Sequence, residues 1–214
     1  MSLMSSLAID HILFITRDLE QCKRRLRVDY GLDAVEGGAH PEWGTGNLIV
    51  PIGDQYIELF AVTDRLTAER HPVGRWLLDA VMRGEGPRAV CLRSRDFAAD
   101  ALRFGFTIEP GERVYSDGRC VRWLQAGVGE ALATNRPFFM FDWPLESAEL
   151  RLGLRPPKHD DEMAGISSVT IGSPVALPDL GPAVEIVPGD AYGLHRVILA
   201  RTDGSTFDLA GAVL

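Results

Sequence analysis

Two stretches of the chain follow the same plan, and this internal repeat constrains the fold more than any single motif does. Residues 9–19 and 87–97 each read as an apolar strand that runs into an Arg-Asp pair and then a helix. Later in each copy an acidic residue interrupts an apolar strand, Glu58 in the first copy and Asp142 in the second. The repeat therefore predicts two copies of one structural unit, with a site between them.

The first copy carries local signals for a helix and a hairpin after its first strand. Asp18 is a predicted N-cap, and Gln21 three residues later completes a capping box. Gly31 stands where a left-handed C-terminal cap is expected, so a helix is predicted over residues 19–30. Further strands are predicted on both sides of a Gly-Asp turn at residues 53–54. The unit is therefore β-α-β-β-β, and the second copy repeats this order.

An α+β fold follows, in which the parts are expected to form one compact domain. The parts are a first module at 8–62, a connecting helix within 63–86, a second module at 87–145 and a β-rich C-terminal portion at 146–214. The last portion follows a proline-rich stretch and looks like a degenerate third repeat without its helix. In that copy Asp208 takes the place that Glu58 has in the first.

Composition argues against several classes of partner. The net charge of -8 provides no broad basic surface, so neither nucleic acid nor an anionic membrane is an expected partner. Three cysteines, Cys22, Cys91 and Cys120, are an odd number without metal-type spacing, which favours reduced thiols and a cytoplasmic location. No apolar run is long enough to span a membrane, and no export signal is recognisable. The opening Met-Ser-Leu before Met4 is typical of a vector-derived extension and carries no functional inference.

Nucleotide chemistry is also disfavoured. The chain has no Gly-rich phosphate loop, no dinucleotide fingerprint, no Gly-x-Ser-x-Gly elbow and no paired-cysteine zinc motif. The expected partner is therefore a small molecule of another kind.

Paired β-α-β-β-β units with a histidine in the first strand and an acidic residue in the last resemble the vicinal oxygen chelate superfamily. That superfamily includes glyoxalases, extradiol dioxygenases and bleomycin-resistance proteins. More narrowly, Asp10-His11, the glycine-rich run at 38–47 and the strand at 56–59 are similar to the glyoxalase-like domain family. The resemblance covers about residues 8–210 and is densest in the first third.

The resemblance implies an incomplete barrel whose concave side surrounds a divalent cation, with His11 and Glu58 at two ligand positions. Zn²⁺, Mn²⁺, Fe²⁺ or Ni²⁺ would accept such a nitrogen and oxygen pair. The second histidine of the usual ligand set is missing, because Ala89 and Ser167 stand at the matching places in the other copies. Asp142 or Asp208 could supply a further carboxylate ligand, although either could also be a strand-end aspartate that faces solvent. A metal-free pocket in the same place therefore stays open beside a metal site.

His11 and Glu58 each have a structural and a functional interpretation. His11 lies among apolar residues, where a hydrogen-bonded core histidine is as typical as a ligand or an acid-base group. Glu58 shares its strand face with Tyr56 and Phe60, which favours the concave side. A carboxylate buried there needs a metal, a proton or a cationic partner.

Other residues are candidates for the wall of the same cleft. His40 and Trp43 either anchor a loop or line the pocket mouth, and Asn47 either caps the loop or binds a substrate oxygen. Arginines at 122 and 136 could bring a guanidinium toward a carboxylate substrate. Alternation along the aromatic strand lets one set of rings pack the core and the other wall an apolar cavity. The aromatic candidates for this wall are Trp123, Phe139 and Phe141.

Together these features predict an enzyme of lyase, isomerase or dioxygenase type that acts on a small oxygen-rich or aromatic molecule. His11 and Glu58 would serve as metal ligands or as an acid-base pair. The alternative is a non-enzymatic protein that sequesters a small molecule, as the bleomycin-resistance relatives do. Relatives often pair, so a homodimer is also open, but no motif in this sequence decides it.

Overall fold

The first module contains β1 (Leu7–Ile15), α1 (Leu19–Tyr30), β2 (Val35–His40), β3 (Thr45–Ile52) and β4 (Gln55–Val62). The computed structural model describes residues 7–144 and 150–209, so the proposed vector-derived extension lies outside the described residues. The Asp18 side chain accepts from the Gln21 backbone N–H, and Gly31 is left-handed with φ 67°. The predicted helix is confirmed with both of its caps. The predicted capping box is not, because the Asp18 backbone N–H donates to Thr16 Oγ1 at 3.2 Å.

The second module repeats this plan after a helical connection. The connection contains α2 (Arg65–Ala68) and α3 (Pro72–Arg83), and the module contains β5 (Gly86–Ser94), α4 (Phe97–Phe104), β6 (Ile108–Val114), β7 (Cys120–Ala126), α5 (Val128–Thr134) and β8 (Phe138–Asp142). The short helix α5 has no counterpart in the first module. It was not predicted, and no side chain caps its N-terminus at Gly127.

Strands of both modules form one barrel with the order β1-β4-β3-β2-β6-β7-β8-β5. β1 and β4 run parallel, as do β5 and β8, while β1 and β5 join the modules as antiparallel neighbours. At the other junction β2 and β6 share a single pair, Ala39 with Val114. The predicted barrel of paired modules is confirmed, and this one pair closes its weaker seam.

The C-terminal portion forms a separate sheet of β9 (Met163–Ser173), β10 (Val184–Pro188), β11 (Gly193–Arg201) and β12 (Thr206–Asp208). Its strand order is β10-β9-β11-β12, and it packs on the outer side of the barrel. Asp208 lies on β12, where its carboxylate accepts from Arg196 Nε and from the Val197 backbone N–H, both at 3.2 Å. Asp208 therefore belongs to this sheet and not to the barrel interior.

Alternation along the barrel strands separates two hydrophobic cores. Outward side chains such as Ile12 and Phe138 pack with α1, α4 and the C-terminal sheet. Inward side chains such as Leu13, Phe60 and Phe139 pack with the inner face of α3. The inner core is the one that surrounds the candidate site. Among the residues that the structure describes, no helix is long and apolar enough to cross a membrane.

Candidate functional site

A cavity of about 740 Å³ opens from the barrel interior toward α3, α5 and the turn before β11. This volume is in the range of small-molecule sites. The inner part is walled mainly by apolar and aromatic side chains, among them Leu13, Phe60 and Phe141. Glu58 also lines it and is 8% exposed. An acidic group thus faces a largely apolar chamber.

On the side away from the cavity, Glu58 contacts residues of the two neighbouring strands. The Asn47 side chain on β3 donates from Nδ2 to Glu58 Oε1 at 2.5 Å. On β1, His11 Nε2 lies 3.5 Å from Glu58 Oε2. Burial alone would raise the pKa of this carboxyl, but His11 and, to a smaller degree, His40 and Asn47 lower it to about 2. Glu58 is therefore ionised at neutral pH.

His11 is fully buried and held in one orientation. Its Nδ1 lies 2.8 Å from Asp10 Oδ1, and its ring stacks on Tyr56 with centroids 4.3 Å apart. Burial lowers the pKa of a histidine, but Asp10 and Glu58 outweigh this and raise the pKa of His11 above its usual value. The two carboxylates on either side of His11 thus favour its protonated form.

Asp10 was not among the residues predicted from the sequence, and a bulge in β1 explains its role. Ile9 pairs with Leu92 and His11 with Cys91, which leaves Asp10 as an extra residue in the strand. Its carboxylate accepts from Trp143 Nε1 at 3.3 Å and from Arg151 Nη1 at 3.1 Å, in addition to His11. The sequence signal was an aspartate inside an otherwise apolar strand.

Arg113 holds the segment that supplies Arg151. The side chain of Arg113 is buried inside the barrel and donates from Nη2 to the backbone oxygens of Leu150 and Arg151, at 3.1 and 2.8 Å. Tyr115 Oη donates to the same Leu150 oxygen at 2.6 Å. Charged groups therefore extend from this segment through Asp10 and His11 to Glu58.

His40 is a second buried histidine, and its pKa is shifted in the opposite direction to that of His11. Its Nδ1 lies 3.2 Å from Thr45 Oγ1, and its ring stacks on Trp43 at a centroid distance of 5.0 Å. Burial lowers the pKa of His40 to about 4, because the nearby charge of Glu58 offsets the burial only in part and Arg113 lowers the pKa further. His40 is thus a neutral imidazole in the cavity wall.

The structure brings most of the predicted site residues to one cavity. His11 and Asn47 lie behind Glu58, and do not themselves line the cavity. Asp142 is exposed at the end of β8, in a shallower depression that also contains Arg122. The predicted residues that do line the cavity are His40, Trp43, Glu58, Trp123, Arg136, Phe139 and Phe141.

The donor atoms around His11 fit a metal ion poorly. In the described ranges the only cluster of three suitable donors is Asp10, His11 and Cys91, within 4.8 Å of one another. Both Asp10 oxygens already accept hydrogen bonds, and burial raises the pKa of the Cys91 thiol well above its usual value. His11 Nε2 and Glu58 Oε2 offer two ligand atoms, whereas a catalytic zinc site has three protein ligands. The residues present therefore suit proton transfer better than metal binding.

Paired βαβββ modules around one barrel cavity define the architecture of the vicinal oxygen chelate superfamily. A family model described as a glyoxalase-like domain matches residues 9–178, and the chain belongs to this family. No curated protein matches the chain significantly.

Several solved structures are similar to the chain. A hypothetical protein from Staphylococcus aureus is 17% identical, with a TM-score of 0.64 over 94% of this chain and 98% of that one. This likeness extends over nearly the whole chain and shows the fold alone. Methylmalonyl-CoA epimerase from Streptomyces coelicolor is 23% identical over 64% of this chain and 95% of that one, with a TM-score of 0.45. A hypothetical protein from Bacillus halodurans is 17% identical over 65% and 96%, with a TM-score of 0.46.

Proposed function

We propose that the protein is an enzyme that moves a proton on a small organic molecule bound in the barrel cavity, in an isomerase or lyase reaction. The observation that carries the proposal is the position of Glu58, an ionised carboxylate that lines a largely apolar cavity of about 740 Å³. A buried carboxylate that is kept charged and open to a cavity is typical of an acid-base group.

The pair formed by Glu58 and His11 supplies the proton chemistry. His11 Nε2 has no hydrogen-bond partner among the described residues and lies 3.5 Å from Glu58 Oε2, so the two atoms would exchange a proton once they approach. Asp10 keeps the other ring nitrogen as a donor, so the Nε2 atom remains directed at Glu58. An apolar ligand that covers Glu58 removes its remaining water and raises its pKa. Glu58 then becomes a stronger base toward a proton on the ligand.

His40 would assist from β2, two strands away from Glu58 in the barrel. Its imidazole lines the cavity and is neutral at neutral pH, because burial lowers its pKa to about 4. A carbonyl oxygen of the ligand gains negative charge when an adjacent carbon loses a proton, and a hydrogen bond from His40 would stabilise that charge. The expected substrate is therefore a small carbonyl compound with an apolar or aromatic body.

The side-chain atoms available as metal ligands favour proton transfer over oxygenation as the reaction. A dioxygenase of this superfamily would need a divalent metal, and next to the cavity His11 Nε2 and Glu58 Oε2 offer two donor atoms where a catalytic site has three protein ligands. A metal bound there would polarise a substrate oxygen. No step of the proposed reaction depends on it.

Hydrogen-deuterium exchange tests the proposal directly. Aromatic and aliphatic carbonyl acids, with phenylpyruvate as the first, are incubated with the protein in D₂O, and exchange at the carbon next to the carbonyl is followed by NMR. We expect the wild-type protein to accelerate exchange and Glu58→Gln to reduce the rate by about 100-fold or more. Glu42→Gln is the matched control, because Glu42 is exposed and does not line the cavity. Equal rates in Glu58→Gln, or no acceleration by wild-type protein with any compound, would contradict the proposal.

A sequestering protein is the second candidate, and one observation favours it. Ala89 lines the cavity, and it occupies the position in the second module that His11 occupies in the first. A cavity with fewer polar groups is suited to binding without chemistry. Tight binding of aromatic compounds, measured by tryptophan fluorescence, with no exchange in either wild-type protein or Glu58→Gln, would support this second function.

A further inference from the structure

We infer that the mouth of the cavity is an anion subsite built by Arg83 and Arg88, so that the cavity takes ligands with a carboxylate or phosphate group at one end. The subsite adds a ligand class to the proposed site. It rests on the proposed function only in that the cavity must bind a small molecule. It does not depend on proton transfer by Glu58.

The two arginines reach the cavity from adjoining elements. Arg83 ends α3, and Arg88 follows on β5 after a tight connection through Gly84 and Gly86. Arg88 Nη2 donates to the Gly84 backbone oxygen, which holds this guanidinium against the connection. Both arginines line the cavity. Burial and the nearby charge of Arg83 both lower the pKa of Arg88, so the two positive charges are close enough to repel each other.

No carboxylate offsets this repulsion within the described ranges. Neither Arg83 nor Arg88 forms an ion pair there, whereas neighbouring arginines do: Arg17 pairs with Glu85, and Arg93 pairs with Asp54. The chain has 30 acidic residues against 22 basic ones, so acidic partners are plentiful. Two unpaired guanidiniums at one cavity mouth are therefore suited to bind an anion from outside the chain.

The inner face of α3 connects this mouth to the rest of the cavity. Val73, Trp76, Ala80 and Arg83 recur at helical spacing, and all four line the cavity. The buried Nε1 of Trp76 has no acceptor among the described residues, which leaves a hydrogen-bond donor for a ligand oxygen. The inner end of a ligand thus lies among apolar groups, and its outer end lies beside arginines.

The charges at the two ends of the cavity also set the orientation of a ligand. Glu58 is negative in the inner chamber and repels an anionic group, while Arg83 and Arg88 attract one at the mouth. A ligand with one anionic end therefore enters with its neutral end toward Glu58. The class that fits is an aryl or alkyl compound with a terminal carboxylate or phosphate.

Calorimetric titration with three probes of similar shape tests this inference. The probes are 3-phenylpropanoate, 2-phenylethyl phosphate and the neutral 3-phenylpropanamide, each titrated at low and at high salt. We expect at least one anion to bind about tenfold more tightly than the amide, with a preference that weakens at high salt. The tighter of the two anions identifies carboxylate or phosphate as the preferred group.

The variants then assign the preference to the arginines. The double variant Arg83→Gln, Arg88→Gln should abolish the preference for the anion. The single variant Arg83→Gln should reduce it. The side chain of Arg83 is exposed, so its replacement carries little risk to folding. Arg75→Gln is the matched control, because Arg75 is exposed on the same helix and does not line the cavity. Equal binding of the amide, no binding of either anion, or an equal loss in Arg75→Gln would overturn the inference.

The titration and the exchange assay together distinguish failure of the anion subsite from failure of the proposed reaction. If only the proton transfer is wrong, Glu58→Gln leaves exchange rates unchanged, and the arginine variants still lose their preference for anions. If only the anion subsite is wrong, exchange depends on Glu58, and the three probes bind equally well.

Discussion

Nδ1 of His11 lies 2.8 Å from Oδ1 of Asp10, the residue immediately before it in β1. Neighbours in a regular strand point to opposite faces, but the bulge at Asp10 lets both side chains meet inside the protein. The contact extends to Arg151 on one side and to Glu58 on the other. Charges thus alternate along Arg151, Asp10, His11 and Glu58, and each buried group has a neighbour of opposite sign.

Asp10→Asn should destabilise the protein strongly, because it removes the buried charge between His11 and Arg151. Breaking one partner of a buried ion pair typically lowers the free energy of unfolding by about 3–5 kcal/mol. The measurement is urea denaturation at neutral pH. Asp142→Asn is the control, because Asp142 is exposed, and a loss no larger than in that variant would contradict the role of Asp10.

The two buried histidines should titrate in opposite directions. The pKa of His11 is raised from 6.5, and the pKa of His40 is lowered to about 4. His40 therefore contributes stability that is complete above pH 6.5 and is lost as the pH falls to about 4. The stability that His11 contributes is complete below pH 6.5 and is lost as the pH rises through its raised pKa.

NMR titration of the histidine side chains checks both directions, with His11→Gln and His40→Gln used for assignment. His40→Gln should also flatten the fall in unfolding free energy between pH 6.5 and 4. Two buried histidines that both titrate close to pH 6.5 would contradict this electrostatic account.

Gly111→Ala should disturb the cavity wall. Gly111 on β6 pairs with Trp123 on β7, and a Cβ at Gly111 would lie 2.4 Å from the indole ring. The ring must then move, and its 3.2 Å hydrogen bond from Nε1 to Gln125 would be strained. We expect a loss of about 1–3 kcal/mol in the free energy of unfolding, together with weaker binding of aromatic ligands.

Gly129→Ala is the matched control for this substitution. Gly129 lies on α5, and no heavy atom lies within 4 Å of the added Cβ. Calorimetric melting should show a neutral or slightly stabilising effect there. Similar melting temperatures for the two variants would count against contact between Gly111 and Trp123.

Protein purified without chelators or metal-affinity steps should contain less than one equivalent of transition metal. The physical reason is that the groups around His11 are already engaged, Asp10 with three donors and Glu58 with Asn47. Elemental analysis checks the content. One equivalent in wild-type protein that disappears in His11→Ala would instead establish a metal site and return oxygen chemistry to consideration.

Local signals explain why so much of the fold was predictable. The caps of α1 at Asp18 and Gly31 depend on neighbours in the chain, and the structure contains both. The repeat predicted the paired modules because each copy carries the same strand and helix pattern. Alternation also placed Glu58 on the face of Tyr56 and Phe60, and all three side chains are buried in the barrel. Helix α5 was missed because it is short and has no side-chain cap.

The sequence alone therefore determined the modules, the family resemblance and the face on which Glu58 lies, because these depend on residues a few positions apart. Only the tertiary structure decided which groups meet. A strand bulge directs Asp10 to His11, and the end of α3 brings Arg83 beside Arg88. The packing of the strands leaves Asp142 exposed at the end of β8. It places Asp208 in the C-terminal sheet and not in the barrel. Some of these partners are close in the chain, but a strand bulge or a helix end brings them together, and Asp10 also meets the distant Arg151, so the contacts follow from the packing of whole elements and from no local pattern.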